Sequence, residues 1–130
     1  MATGSGTRPG APPFNLCERT FQFALRVVRL CQRLERTPGI SRNLSSQLFR
    51  SGTSVGANVE EGQAGQSRPD FISKYMIARK EARETRYWLR LLQSSELLND
   101  ADLGTLIAEA SELISILTAI LKKTQRTASD

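Results

Sequence analysis

FNLCERTFQFALRVVRLCQRLER, residues 14–36, repeats its apolar side chains every three or four positions. This spacing is typical of an amphipathic helix, whereas a half-buried strand alternates at every second residue. The apolar residues form two adjacent seams, which predict a wide buried face: Cys17, Phe21, Ala24, Val28 and Cys31, and Phe23, Val27, Leu30 and Leu34. Asn15 is the predicted N-cap, with Glu18 at the capping-box position, and residues 37–39 (TPG) end the helix.

Three further segments have the same periodicity, and no segment alternates like a strand. The predicted helices run from Ser41 or Asn43 to Gln63, from about Pro69 to Ser95 behind an N-cap at Ser67, and from residues 99–102 to about Thr124. Short connections between four helices favour an antiparallel up-down-up-down bundle. The sequence therefore predicts an all-α bundle over residues 14–126, with a flexible N-terminal tail (1–13) and a C-terminal tail (127–130).

The second predicted helix has two glycines in its interior, Gly52 and Gly56. Each glycine costs a helix roughly 1 kcal/mol relative to alanine. That cost has a purpose if Ser45, Gly52 and Gly56 form a small-residue groove that lets a neighbouring backbone come close. The alternative is a kink or a break near Gly52.

Composition excludes most catalytic chemistry. The chain has no histidine, so it can hold neither an imidazole base nor a histidine metal ligand. Its glycines match no phosphate-binding fingerprint. The two cysteines, Cys17 and Cys31, lie about 21 Å apart along one helix, beyond disulfide reach. We predict a cytoplasmic protein that is not an enzyme, with no cofactor, metal or small-molecule substrate, and no apolar run long enough for a membrane.

The basic residues are concentrated in two of the predicted helices. The chain carries a net charge of +5, and the excess comes from residues 14–36 and 68–90. Each of the two helices has a stripe of arginines at helical spacing: Arg19, Arg26, Arg29, Arg33 and Arg36 in the first, and Arg79, Arg83, Arg86 and Arg90 in the third. Because like charges on one face repel, and guanidinium suits phosphate, the stripes predict binding of RNA or DNA.

An alternative explains the arginines without nucleic acid. They could pair with carboxylates across helices or between subunits; the available acids are Glu60, Glu61, Glu81, Glu84, Glu109 and Glu112. Tyr87 and Trp88 have two interpretations as well. They form either a base-stacking platform beside the arginines or apolar packing in the core or at a subunit contact.

Residues 50–98, RSGTSVGANVEEGQAGQSRPDFISKYMIARKEARETRYWLRLLQSSELL, resemble a bacterial family called four-helix bundle proteins. Its first members were recognised as products of intervening sequences in large-subunit ribosomal RNA genes. The matching motifs are RS at 50–51, SVGANV at 54–59 with Glu61, DF at 70–71, and KEARET at 80–85 leading to WL at 88–89. Together with the apolar framework of the outer helices, the resemblance covers roughly residues 14–125.

The resemblance implies a homopentameric ring and a non-enzymatic adaptor. The accessory proteins of diversity-generating retroelements are similar in fold, and they bind nucleic acid and a reverse transcriptase through a basic surface. The resemblance therefore implies RNA or DNA, and a reverse transcriptase, as candidate partners. It also implies a subunit interface that the following residues form: Gly52, Ser54, Gly56, Asn58, Glu61 and Trp88. The alternative is a structural or protein-interaction ring whose arginines form salt bridges.

Overall fold

The structure is a computed structural model that describes residues 15–129, and within them the chain is all-α. The helices are α1 (Leu16–Leu34), α2 (Ile40–Gln63), α3 (Arg68–Ser95) and α4 (Leu103–Ser129). Residues 15–129 contain no β-strand, which confirms the predicted fold class. The predicted N-terminal tail, residues 1–13, lies outside the described residues.

Side-chain caps fix the starts of α1 and α3. The Asn15 side chain accepts a hydrogen bond from the backbone N–H of Glu18 (3.2 Å), and Ser67 accepts one from the N–H of Asp70 (3.2 Å). Each bond satisfies an N–H that has no partner inside its helix. Both predicted N-caps are therefore confirmed.

The ends of α2 and α4 differ slightly from the predicted ones. Helix α2 begins at Ile40 because Gly39 adopts φ = 93°, a conformation that glycine enters without steric cost, and turns the chain directly into the helix. Helix α4 continues past Thr124 to Ser129. No proline or glycine follows Thr124, so nothing in the sequence stops the helix there.

Helix α2 is continuous, and its glycines are buried against α1. A β-carbon on Gly52 would lie 2.7 Å from Cγ1 of Val27, and one on Gly56 would lie 3.3 Å from the backbone carbonyl of Thr20. The predicted groove therefore exists, and the predicted alternative of a break near Gly52 is wrong. The helix that occupies the groove is α1 of the same chain.

Helix α2 packs against α1 and α3, and α4 packs against α3 and, over a smaller area, α1. Leucine and valine side chains from all four helices fill the space between them; the largest fully buried side chains include Tyr75, Phe23, Leu34, Leu48, Leu89, Leu92, Leu113 and Leu117. Polar groups inside are paired. The Thr85 hydroxyl, for example, lies 2.9 Å from that of Ser51 in the α2–α3 contact.

Two apolar features of the helices differ from the prediction. The buried face of α1 is narrower than predicted: Phe23 and Val27 are buried, whereas Phe21 is 53% exposed. In α4, the stretch Leu103–Thr127 contains an 18-residue segment with a mean hydropathy of 1.6, and it is long and apolar enough to cross a membrane by length and composition alone. Core helices of soluble proteins pass the same test, and Leu113 and Leu117 of α4 are fully buried.

Candidate nucleic-acid interface

Carboxylates neutralise two arginines of the α1 stripe. Arg19 donates from Nε and Nη2 to the two carboxylate oxygens of Glu109 on α4, at 2.7 and 2.8 Å. Arg33 forms an ion pair with Asp100, in the loop before α4. A bidentate pair of this kind is the strongest geometry available to an arginine. For these two arginines the alternative of salt bridging is supported.

The remaining α1 arginines keep their charge available. Arg26 donates from Nη2 to the Thr105 hydroxyl of α4 at 2.9 Å, a neutral partner that leaves the positive charge uncompensated. Arg29 and Arg36 are exposed, and neither forms an ion pair within residues 15–129. The α1 stripe is thus partly consumed inside the chain and partly free.

The α3 stripe has no carboxylate partner at all within the described residues. Arg79 and Arg86 reach α4 and donate to the hydroxyls of Thr118 (3.5 Å) and Ser111 (3.3 Å). Arg83 and Arg90 are exposed, without an ion pair in the described part of the chain. Four guanidinium groups on one helix therefore retain their full charge toward solvent or toward neutral hydroxyls.

Two acids of α3, Glu81 and Glu84, form ion pairs on the opposite flank of the helix. Arg50 of α2 pairs with Glu81 at 3.2 Å and also with Glu84. Burial raises the pKa of Glu84, but hydrogen bonds from Trp88 and Arg50 outweigh it, so the pKa of this carboxyl is lowered overall. Glu84 is therefore ionised at neutral pH and held away from Arg83 and Arg90.

Helix α4 lies between the two arginine stripes, and most of its exposed side chains there are small. Arginines reach it from α1 on one side and from α3 on the other. The exposed positions of α4 between them carry mostly small side chains: Gly104, Ala108, Ser115 and Ala119, together with Glu112. Lys122, Lys123 and Arg126 extend the positive charge along the last turns. Apart from Glu112, whose carboxylate is exposed in the middle of this face, the exposed side chains of α4 between the stripes are small and uncharged.

The Asp100 carboxylate anchors the loop between α3 and α4. Its Oδ1 accepts the backbone N–H of Asp102 at 2.8 Å, and its other oxygen pairs with Arg33. Burial raises the pKa of Asp100, whereas these two partners lower it, and the net shift is downward. A lowered pKa in the folded chain means that the ionised form stabilises the fold.

Asp100→Asn should therefore make the free energy of unfolding depend less on pH in the acid range. In the wild type this contribution is present above the ordinary aspartate pKa and is lost as pH falls through the lowered folded value, between about pH 5 and pH 2. The expected loss is roughly 0.5 kcal/mol, a discounted figure because Arg33 is partly exposed. Urea unfolding at several pH values measures it. Asp102→Asn, an exposed neighbour, is the matched control; equal pH profiles for all three proteins would contradict the prediction.

The predicted subunit-interface residues divide into two groups. Gly52 and Gly56 are buried inside the chain, so α1 already occupies the surface assigned to a second subunit. Ser54 and Asn58 are half-buried and bond to carbonyls of their own helix, at 2.6 Å to Arg50 and 2.8 Å to Ser54. Glu61 is exposed on α2.

Trp88, the last of the predicted interface residues, is half-buried and packs against the core. Its Nε1 donates to Glu84 at 3.1 Å. The neighbouring Tyr87 is 54% exposed and meets the tryptophan edge-on, with ring centroids 5.2 Å apart. The two aromatic residues therefore have different environments: Trp88 is half-buried against the core, and Tyr87 lies on the surface.

No pattern in the sequence by itself indicated the hydroxyls of α4 to which the arginines of α3 donate. Thr118 and Ser111 are seven residues apart, as are their partners Arg79 and Arg86. That matched two-turn spacing is the signal that could have identified them, once α3 and α4 were taken as neighbours. The sequence did not indicate the exposure of Phe49 on α2 either, which is 52%.

The two thiols have the properties of packing residues. Burial raises the pKa of Cys31, and although a hydrogen bond with the Ser45 side chain lowers it, the net shift is upward. The pKa of Cys17 is raised as well, mainly by burial and secondly by the negative charge of the nearby Glu60. Both thiols therefore stay protonated near neutral pH, the unreactive form. In the described residues no cluster of three acidic or thiol side chains is arranged to hold a metal ion.

Comparison with known proteins places these features in a family context. A family model described as 23S rRNA-intervening sequence protein matches residues 14–119. The chain is also similar to a crystal structure, at 1.70 Å, of a protein of unknown function from the S23 ribosomal protein family of Bacteroides thetaiotaomicron VPI-5482. The two chains are 38% identical, with a TM-score of 0.76, and the alignment covers 83% of this chain and 99% of the other. No curated protein matches the chain.

Proposed function

The chain belongs to the 23S rRNA-intervening sequence protein family, and from that premise we propose that it is a non-enzymatic, self-associating protein that binds RNA or DNA. The observation that carries the proposal is the α3 stripe: Arg79, Arg83, Arg86 and Arg90 have no carboxylate partner in the described chain, while Glu81 and Glu84 of α3 pair with Arg50 on the other flank. A row of uncompensated guanidinium groups favours a polyanion as the ligand.

The proposed binding surface consists of the α3 stripe, the small-residue face of α4 and the free arginines of α1. Arg26 and Arg29 belong to it, whereas Arg19 and Arg33 act in the fold, because carboxylates already neutralise them. Arg36 stands exposed just beyond the end of α1. The surface is therefore centred on α3 and α4 rather than divided equally between two helices.

Self-association is the second part of the proposal. Phe21 and Phe49 are each about half exposed, at 53% and 52%, and they lie on α1 and α2, which pack together. Exposed large apolar residues on one side of a small chain favour a protein contact. Ser54, Asn58 and Glu61 lie about 120–180° round α2 from Phe49 and would form a separate contact. Gly52 and Gly56 support self-association indirectly by setting the α1–α2 spacing. A homopentameric ring rests on the family resemblance.

Further parts of the proposal concern topology, partner and location. Residue numbers increase along α1 where those of the contacting residues on α2 decrease: Thr20 lies against Gly56, and Val27 lies against Gly52. These contacts support the antiparallel up-down-up-down arrangement. A reverse transcriptase as partner rests on the family resemblance, and a cytoplasmic location and the absence of a membrane, cofactor or small-molecule substrate rest on the sequence. Finding a reverse-transcriptase gene or a ribosomal RNA gene beside this one would favour one kind of partner.

The test of the proposal is the salt dependence of binding. Fluorescently labelled single-stranded and duplex RNA and DNA are titrated with the protein at two salt concentrations, about 50 and 200 mM. If four arginines contact phosphates, affinity should fall roughly a hundredfold over that range. Absence of binding to every probe at the lower concentration would contradict the proposal and favour the structural ring.

That structural ring remains the second candidate because one observation favours it. Arg19, Arg33 and Arg50 all form ion pairs within the chain. If the α3 stripe pairs with acids of a second subunit in the same way, high salt should dissociate the assembly, and light scattering would then record a fall in mass. A mass that is constant in salt, with salt-sensitive binding, favours the nucleic-acid function.

A further inference from the structure

Tyr87 stands on the most exposed line of α3, in the middle of its positive charges. The ring is 54% exposed, and its hydroxyl has no hydrogen-bond partner among residues 15–129. On the helix, Arg83 lies one turn before it and Arg90 one turn after it, and Lys80 continues the same line. An exposed aromatic ring between two uncompensated cations requires an explanation beyond core packing.

The tyrosine ring is oriented by its neighbour. Trp88 meets it at 72°, with centroids 5.2 Å apart, and Trp88 is itself held by its hydrogen bond to Glu84. Such an edge contact restricts the tyrosine rotamers without covering both faces of the ring. The ring is therefore positioned in advance, so that less rotamer entropy is lost when a flat ligand binds.

The cations bracket the ring at a distance that suits a nucleic-acid strand. Arg83 and Arg90 are seven residues apart, which is about 10 Å along the helix axis. A stacked strand advances roughly 3.4 Å per nucleotide, so the two guanidinium groups span about three nucleotides. Two phosphates held by the arginines would place the base between them over Tyr87.

We propose that Tyr87 is a stacking platform for an unpaired base, so that the ligand of this surface is single-stranded nucleic acid held at its phosphates by Arg83 and Arg90. This inference rests on the proposed nucleic-acid function and deepens it. In a duplex the bases stack on one another and pair inward, out of reach of a surface ring, whereas an unpaired base can stack on an aromatic side chain. The platform would be tolerant of sequence, because every base has an aromatic face.

A second copy of the chain is a less suitable occupant of this surface. In a two-fold symmetric contact the same patch meets itself, which would bring the arginines on both sides of Tyr87 close to those of the other copy; in the head-to-tail contacts of a ring, the patch would instead need an acidic surface on the next copy. Glu81 and Glu84 are turned to the α2 flank by Arg50 and relieve the repulsion in neither case. Charge complementarity therefore favours a polyanion over self-contact at Tyr87.

The experiment compares Tyr87→Ala, Tyr87→Phe and wild type on two probes, a labelled oligouridine and an RNA duplex of equal length, by fluorescence anisotropy at fixed salt. Tyr87→Ala should weaken binding of oligouridine about tenfold and that of the duplex less than about twofold, since stacking is lost only where a base is free. Tyr87→Phe keeps the ring and should match wild type. Fluorescence of Trp88, the only tryptophan, should be quenched by oligouridine in wild type.

The outcomes separate this inference from the proposed function. If wild type binds both probes equally and Tyr87→Ala weakens neither, the platform is refuted while nucleic-acid binding stands. If wild type binds no probe, the function itself fails. If Tyr87→Ala keeps its affinity for oligouridine but loses mass in light scattering, Tyr87 belongs to a subunit contact, which also overturns the inference. Circular dichroism confirms that each variant is folded.

Discussion

Gly56→Leu should strongly destabilise the chain. Even a β-carbon at this position would lie 3.2 Å from Oγ1 of Thr20 and 3.3 Å from its carbonyl carbon and oxygen. Because two of these atoms are backbone, the rest of a leucine side chain has no space unless α1 moves as a whole. We expect a loss of about 3 kcal/mol or more, from a total that is about 5–15 kcal/mol for a domain. Thermal unfolding should show Tm lower by on the order of 10 °C.

Ala57→Leu provides the matched control for this change. Ala57 is the next residue of α2 and is exposed, so the same side chain enters solvent instead of the α1–α2 contact. Its unfolding free energy should stay within about 0.5 kcal/mol of wild type. A stable, fully folded Gly56→Leu protein whose mass alone has changed would show that Gly56 faces a second subunit, contrary to the contact with α1 described above.

The helices could be predicted because their signals are local. Asn15 and Ser67 have the side chains that cap helices, and the apolar spacing of α1 and α3 needs no knowledge of neighbours. The groove around Gly52 and Gly56 was also predictable, since two interior glycines are costly unless something packs closely on them. Local chemistry thus determines where each helix lies and which positions are small.

The neighbour of each face could not be predicted in the same way. Nothing in the spacing of Gly52 and Gly56 distinguishes α1 of the same chain from a second subunit, because either helix would present a similar backbone. Phe21 continues an apolar seam yet is exposed, since α1 packs only against α2 and α4. Exposure of this kind follows from the arrangement of helices, which periodicity does not contain.

The division of the arginines into structural and free groups has the same origin. Arg19 and Arg33 share a register with Arg26, but only the structure brings Glu109 and Asp100 opposite them. These acids lie in the last third of the chain, where no sequence pattern links them to α1. The sequence therefore predicted which residues carry charge, and tertiary contacts determine which of those charges are compensated by a carboxylate.

Arg83→Glu combined with Arg90→Glu should abolish most nucleic-acid binding. Both side chains are exposed and have no ion pair within residues 15–129, so reversing them should leave the fold intact. Two attractive phosphate contacts become two repulsive ones, and we expect affinity to fall about a hundredfold or more at moderate salt. The slope of log affinity against log salt concentration should become shallower by about 1.4 units for a single strand and about 1.8 for a duplex, as two phosphate contacts are lost. Anisotropy titrations at four salt concentrations measure both quantities.

A lower net charge would by itself weaken binding to a polyanion, so a second double variant with the same net charge serves as the control. Arg42→Glu with Arg68→Glu lowers the net charge from +5 to +1, the same change, because each substitution removes two positive units. Both residues are exposed at helix starts, where a glutamate suits the helix dipole, and they lie away from the middle of α3. Arg42 also pairs with Glu35 at 3.9 Å and donates to its backbone carbonyl, so circular dichroism and thermal unfolding check that this variant is folded. If binding depends on local contacts, this control should lose less than about tenfold and keep its salt slope. Equal losses in the two double variants would mean that the chain attracts polyanions only through its overall charge, and that the α3 stripe is not a binding site.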